Sequence, residues 1–228
     1  MTKKNLEKSI TVGITGNKDI HWKSKLSEIE KLKIDRVSLF LEQFSTKIQR
    51  GKIYKAILKS RIKEIPLIHI RNEMDKNEIS FLLKKFKNPY LTIHESSFKY
   101  MGKWKGFHKN LYLEMNYDDS IPGNVDVKKI GGFCVDLAHF KTSEERWTKE
   151  FLYESSKNKK RYFKCNHLSG FSFKKGRDVH LVKNKEDFNY LKTLPKFIFG
   201  DVMAIEIYNS IAEQLEFKKH IIKLLSSR

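Results

Sequence analysis

Eight short apolar runs, rich in β-branched and aromatic residues, recur along the 228-residue chain at 10–16, 36–42, 66–71, 90–95, 110–115, 132–136, 162–167 and 202–207. Runs such as Val37-Ser38-Leu39-Phe40-Leu41 and Met203-Ala204-Ile205-Glu206-Ile207 are apolar at nearly every position, the pattern of strands buried on both faces. Between most of them, residues 24–32, 52–62, 77–86, 143–155, 187–194 and 211–225 carry apolar side chains at three- and four-residue spacing, which predicts helices. In the fourth of these, Ser143 followed by two glutamates predicts an N-cap. The connections after the fourth and fifth strands are poor in helix, and 124–130 has room for one or two turns. Alternating strands and helices imply a parallel sheet, and eight repeats imply that it closes. The expected fold is α/β, a compact (β/α)8 TIM barrel in which 1–228 form one domain. An open doubly wound sheet would carry a glycine-rich fingerprint on its first turn, and Gly13-Ile14-Thr15-Gly16 is not one.

Chemistry in such a barrel belongs to the C-terminal ends of the strands. Strand three ends on His69, strand four on His94 and strand five on Glu114. Strand six ends on Asp136, with His139 three residues on, and strand seven ends on His167. Asp178 and His180 follow in a loop, and strand eight carries Glu206. Each residue alone has an ordinary structural explanation. Six consecutive strand ends carrying a His, Asp or Glu toward one mouth do not. So many carboxylates share a low-dielectric site only if cations neutralise them, because like charges a few ångströms apart resist joint ionisation. Imidazole with carboxylate suits Zn2+, Mn2+ or Fe2+ rather than Ca2+. Nine candidate ligands exceed what one ion takes, so two or three ions are expected, a chemistry suited to phosphodiester cleavage. The other histidines, His21, His108 and His220, fall in helix- or loop-like segments and read as surface residues.

The balance of 46 Lys and Arg against 27 Asp and Glu gives a net charge of +19, which favours polyanionic partners such as nucleic acid. The abundance of Lys, Ile, Asn and Phe equally suits an AT-rich coding composition, so the charge has two explanations. The densest basic stretches are 157–161 and Lys174-Lys175-Gly176-Arg177. The second immediately precedes Asp178, so Lys174, Lys175 and Arg177 are candidates to hold a substrate phosphate. Phe171 and Phe173 beside them read as packing residues, with base stacking the alternative, and Trp22, Trp104 and Trp147 also read as packing. Two cysteines, Cys134 and Cys165, lie within strands and are expected to be buried free thiols. No apolar run approaches the roughly 20 residues that span a bilayer, and no signal-peptide core follows the N-terminus. A cytoplasmic protein without membrane contact, and a monomer, is expected.

The ordered series His69, His94, Glu114, Asp136-x-x-His139, His167, Asp178-x-His180 and Glu206 resembles that of the xylose-isomerase-like barrels, and within them the endonuclease IV family. The resemblance extends over the chain as topology, with its specific matches confined to these segments. It implies three zinc-type ions: one held by His69, His94 and Glu114, a second by Glu114, Asp136, His167 and Glu206, a third by His139, Asp178 and His180. It implies hydrolysis of DNA 5′ to abasic sites, a DNA-repair activity with Glu114 and Glu206 in the catalytic centre. The chain departs from the family where Met115 and Asn116 follow Glu114, where Leu181-Val182-Lys183 follow His180, and where Asn72 stands in place of a tyrosine. It is also shorter than the family norm, so shortened DNA-contacting loops are expected. Gln43, Gln49 and Arg50 follow strand two, where the family probes the minor groove, but position alone supports them. Sugar or sugar-phosphate isomerases and epimerases of the same superfamily use only the positions of Glu114, Asp136, His167 and Glu206, around one divalent ion. There the two glutamates would move a proton next to a carbonyl. A non-catalytic basic barrel that binds nucleic acid is the remaining alternative.

Overall fold

The computed structural model describes residues 2–16, 21–157 and 159–227. Its strands are β1 (Ile10–Ile14), β2 (Val37–Phe40), β3 (Leu67–His69), β4 (Tyr90–His94), β5 (Leu111–Glu114), β6 (Gly132–Asp136), β7 (Phe163–Leu168), β8 (Gly170–Ser172), β9 (Arg177–Val179) and β10 (Val202–Ile205). Eight of them close into a barrel in the order β1-β10-β7-β6-β5-β4-β3-β2, and every pairing around it is parallel. The eight predicted strands are these eight. Helices precede, separate and follow them: α1 (Lys3–Ser9), α2 (His21–Lys31), α3 (Lys47–Lys59), α4 (Lys76–Lys85), α5 (Leu137–Arg146), α6 (Lys149–Ser156) and α7 (Ile211–Ser226). The connections after β4 and β5 hold only 3-10 turns, at Glu95–Trp104, His108–Asn110 and Val127–Lys129. No helix of the described residues is long and apolar enough to cross a membrane.

Period-two alternation divides each strand between two cores. Ile68, Leu91, Ile93, Leu111, Leu113, Phe133 and Val135 join the large core that includes the helices. Phe40, Leu67, Cys134, Cys165, Val202 and Ala204 form a second, smaller cluster, with Tyr90 and Tyr112 against it. Counting on by twos from this inner set reaches Glu42, His69, His94, Glu114, Asp136, His167 and Glu206, so these residues share its phase. Gly13 is required on the inner side of β1: a Cβ there would lie 2.0 Å from the Ile205 carbonyl oxygen and 2.9 Å from the Phe40 ring. Both cysteines are buried and free, opposite one another in the β6–β7 register.

Four details differ from the sequence expectation. The predicted helix 143–155 is two helices, because Trp147 adopts a left-handed conformation (φ 54°) and Thr148 caps a new start. Ser143 is therefore a buried residue inside α5 rather than an N-cap, and Asp136 caps that helix instead. The predicted helix 187–194 is a 3-10 segment, Lys185–Lys192, without a side-chain cap. The loop holding Asp178 is an antiparallel hairpin of β8 and β9, turned at Gly176 with φ +57°, where glycine is favoured. Trp22 and Trp104 pack in the core as expected, but Trp147 is 72% exposed.

Candidate metal centre

Because the barrel is parallel, residues ending β3 to β7 and following β10 meet at one mouth. The register sets His94 beside Glu114 and Asp136 beside His167. Glu114, Asp136, His167 and Glu206 are all buried, and one ligand atom from each lies within 4.8 Å of the others. His167 Nδ1 is 3.1 Å from Glu114 Oε2 and 3.1 Å from Glu206 Oε2. Its other nitrogen, Nε2, pairs with Thr92 Oγ1 at 3.3 Å. A partner on Nε2 fixes the ring and leaves Nδ1 facing inward, the usual support for a metal-ligating histidine. Asp136 divides its work: Oδ1 accepts the Ala138 and His139 amides at 2.8 and 2.9 Å, and Ser169 Oγ donates to Oδ2 at 3.4 Å.

His69 and His94 form a second group with Glu42. Glu42 Oε1 lies 3.4 Å from His94 Nε2 and 3.8 Å from His69 Nε2. His69 Nε2 is also 3.1 Å from Glu114 Oε2, so this one oxygen faces a histidine of each group. The His69 ring packs 4.9 Å from that of His94 and 5.5 Å from that of His167, and the Phe40 ring lies beside His69 and His167. A cavity of about 200 Å³ opens here, lined by Glu42, His69, Arg71, Asn72, His94 and Ser97.

Glu42 was not among the residues singled out from sequence. Its signal was present: it ends the predicted second strand and lies two residues past the inward Phe40. Gln43, Gln49 and Arg50, noted nearby, have structural roles where the structure shows one: Gln49 completes the capping box of α3 with Thr46, and Arg50 is buried against Glu78. Burial removes Arg50 from any direct contact with a groove.

His139, Asp178 and His180 do not form a third group with ligand atoms this close. Asp178 Oδ2 and His180 Nε2 pair at 3.0 Å, and Tyr117 donates to Asp178 Oδ1 at 2.7 Å. His180 Nδ1 reaches the Glu206 carbonyl at 3.0 Å and His139 Nδ1 the Met115 carbonyl at 3.3 Å. Both histidines therefore tie Nδ1 to a backbone carbonyl, which leaves Nε2 as the donor atom. Lys174 and Lys175 are exposed at the tip of the hairpin, and Arg177 is exposed on β9 next to Asp178. Of the other basic stretch, 159–161 are exposed and residue 158 lies outside the described residues. His21, His108 and His220 are half-buried in helical segments, less exposed than expected because His108 and His220 are tied to Met101 and Asn189.

The electrostatics explain how such groups share one mouth. Burial opposes charge on His167, but Glu114 and Glu206 outweigh it and raise its pKa well above the usual histidine range. Burial likewise opposes charge on Glu114, but His167 and His94 hold it well below the carboxylate range. Glu42 is half open to solvent; the desolvation of its surroundings opposes its charge, but His69 and His94 hold it at about 2. Desolvation also opposes charge on His94, but Glu114 and Glu42 lift it to about 9. Glu206 moves the other way, since burial dominates there and His167 only partly offsets it.

These side chains form groups that could hold metal ions. His69 Nδ1 and Nε2, His94 Nδ1, His167 Nδ1 and Glu114 Oε2 are buried atoms without a hydrogen-bond partner, although several face one another at close range. Imidazole nitrogens and carboxylate oxygens converging in one place are a donor set that metal ions use. Each of the two groups could hold a metal ion, and Glu114 Oε2 faces a histidine of both. No protein-family model matches the chain, and no curated protein matches it.

Proposed function

We propose that the chain is a metal-dependent phosphodiester hydrolase of the endonuclease IV type, cleaving DNA 5′ to abasic sites. The observation that carries this reading is Glu114 Oε2, 3.1 Å from His69 Nε2 and 3.1 Å from His167 Nδ1. One carboxylate set between a buried histidine–carboxylate group and a second, partly exposed one is the arrangement of a site for two neighbouring ions; His139, Asp178 and His180, which the ordered ligand series gives to a third, stand further apart. Zinc or manganese held there would polarise a phosphoryl oxygen and make water a stronger nucleophile near neutral pH. The chain's own contribution is position and dryness. Thr92 and two backbone carbonyls orient the imidazoles, and Phe40 closes the floor beside His69 and His167. The cavity beside Glu42, His69 and His94 has room for a phosphate group. The exposed Lys174, Lys175 and Arg177 supply positive charge for a flanking backbone phosphate, and a net charge of +19 suits DNA as the partner.

A second reading is favoured by one observation: Glu114, Asp136, His167 and Glu206 form a complete group by themselves. That is the set of a single-ion sugar isomerase or epimerase. In that case Glu42, His69 and His94 would have no part in catalysis.

The test is a nicking assay on a duplex with one synthetic abasic site, using zinc- or manganese-loaded protein. Wild type is expected to nick 5′ to the lesion and Glu114→Gln to lose at least a thousandfold in rate. Equal nicking by both proteins, or none by wild type with its ions bound, would overturn the proposal.

A further inference from the structure

We propose that Glu95, Asp118 and Glu150 bind one hard divalent cation of the calcium class, at a site separate from the strand-end histidines. One oxygen from each carboxylate lies within 4.8 Å of the others, the spread expected around an ion with oxygen ligands at about 2.4 Å. Glu150 supplies a second observation. It is fully buried; its Oε1 accepts the Ser120 amide at 2.9 Å, while Oε2 is buried without a hydrogen-bond partner. A carboxylate oxygen removed from water and left without a donor is costly, and a cation removes that cost. Glu95 is also buried, and the Asn116 amide reaches its Oε2 only at 3.3 Å. Glu154, one helical turn beyond Glu150 on α6, adds another buried carboxyl.

Protein cations do not balance this cluster. No ion pair of the described residues includes Glu95, Asp118, Glu150 or Glu154. The neighbouring Lys149 turns instead to Asp119. The donor set is all oxygen, without imidazole or thiolate, so it selects a hard ion over zinc. Such an ion would join the start of α6 to the end of β4 and to the loop 116–120 after β5. That loop carries Tyr117, which donates to Asp178 at 2.7 Å. The cation would thereby fix one wall of the mouth while standing outside it.

Calorimetric titration of the full chain with calcium chloride tests this. Wild type and Glu114→Gln are each expected to bind one calcium ion per chain, with affinity at least tenfold weaker in Glu150→Gln and in Asp118→Asn. Asp118 is exposed on a loop, so Asp118→Asn decides the matter even if Glu150→Gln fails to fold. No calcium binding by wild type, binding unchanged in Asp118→Asn, or binding lost in Glu114→Gln overturns the proposal.

Discussion

Replacing Arg50 by methionine is expected to cost about 4 kcal/mol of stability, from the class of interaction it breaks. Arg50 is 2% exposed. Its Nε and Nη2 donate to both oxygens of Glu78, at 2.7 and 2.9 Å. Its Nη1 donates to the carbonyls of Phe44 and Ser45, at 2.9 and 3.0 Å. Methionine fills much of the same volume but leaves the Glu78 carboxylate buried with only the Tyr54 hydroxyl from a side chain, at 2.9 Å. Breaking a buried pair from one side costs about 3–5 kcal/mol, because the remaining charge stays desolvated. Urea denaturation at pH 7 measures the loss. The double variant Arg50→Met/Glu78→Leu should recover most of it, since both charges are then gone. A single-variant loss under about 1 kcal/mol, or a double variant no more stable than the single, would refute the reasoning. The same substitution reaches the mouth: Phe44 and Ser45 lie just past Glu42, so ion affinity at Glu42, His69 and His94 should fall with it.

Three further outcomes follow from the geometry. Glu42→Gln should weaken metal binding at the His69–His94 group by at least tenfold, with little change in melting temperature because the side chain is 44% exposed; competition with a chromophoric zinc chelator reads this directly. Thr92→Val keeps the buried shape but removes the partner of His167 Nε2, and loss of such an orienting bond typically weakens metal affinity by about 10–100-fold; unchanged affinity would show that Thr92 does not orient the ring. Burial depresses Lys25 from 10.5 to about 7, with Glu28 and Glu213 opposing. The unfolded chain therefore binds more protons between those values, and stability rises with pH across that window, by at most about 5 kcal/mol. The mouth histidines act the other way over the same range, His94 being raised to about 9, so melting curves at pH 7 and 9 should show wild type gaining relative to Lys25→Met, in which only the histidine effect remains.

The barrel was legible because its strands are buried on both faces, so each stands out as a short apolar run whatever its neighbours do. Its helices were less so. Residues 143–155 keep a helical pattern through Trp147, and nothing in that pattern marks the left-handed turn at which Thr148 starts a new helix. At the mouth, Glu114, Asp136, His167 and Glu206 could be nominated from strand ends alone, and they lie together. Glu42 carried the same signal as these four, at the end of the predicted second strand and in the inward phase of Phe40, but the ligand series it was compared with starts at strand three; in the structure it stands on the loop after β2. The distances among His139, Asp178 and His180 depend on the β8–β9 hairpin, and spacing along the sequence does not encode how that hairpin folds over the mouth. The cluster of Glu95, Asp118 and Glu150 draws on three separate connections, so only the assembled fold reveals it.

The measurement that bears most directly on the central claim is transition-metal content per chain, by elemental analysis of protein purified without chelator and after reconstitution with zinc or manganese. The account predicts two or three ions per chain in wild type, and loss of at least one in Glu114→Gln, whose carboxylate stands between the two groups. One ion per chain would contradict the multinuclear hydrolase and favour the single-ion isomerase; no ion after reconstitution would contradict both.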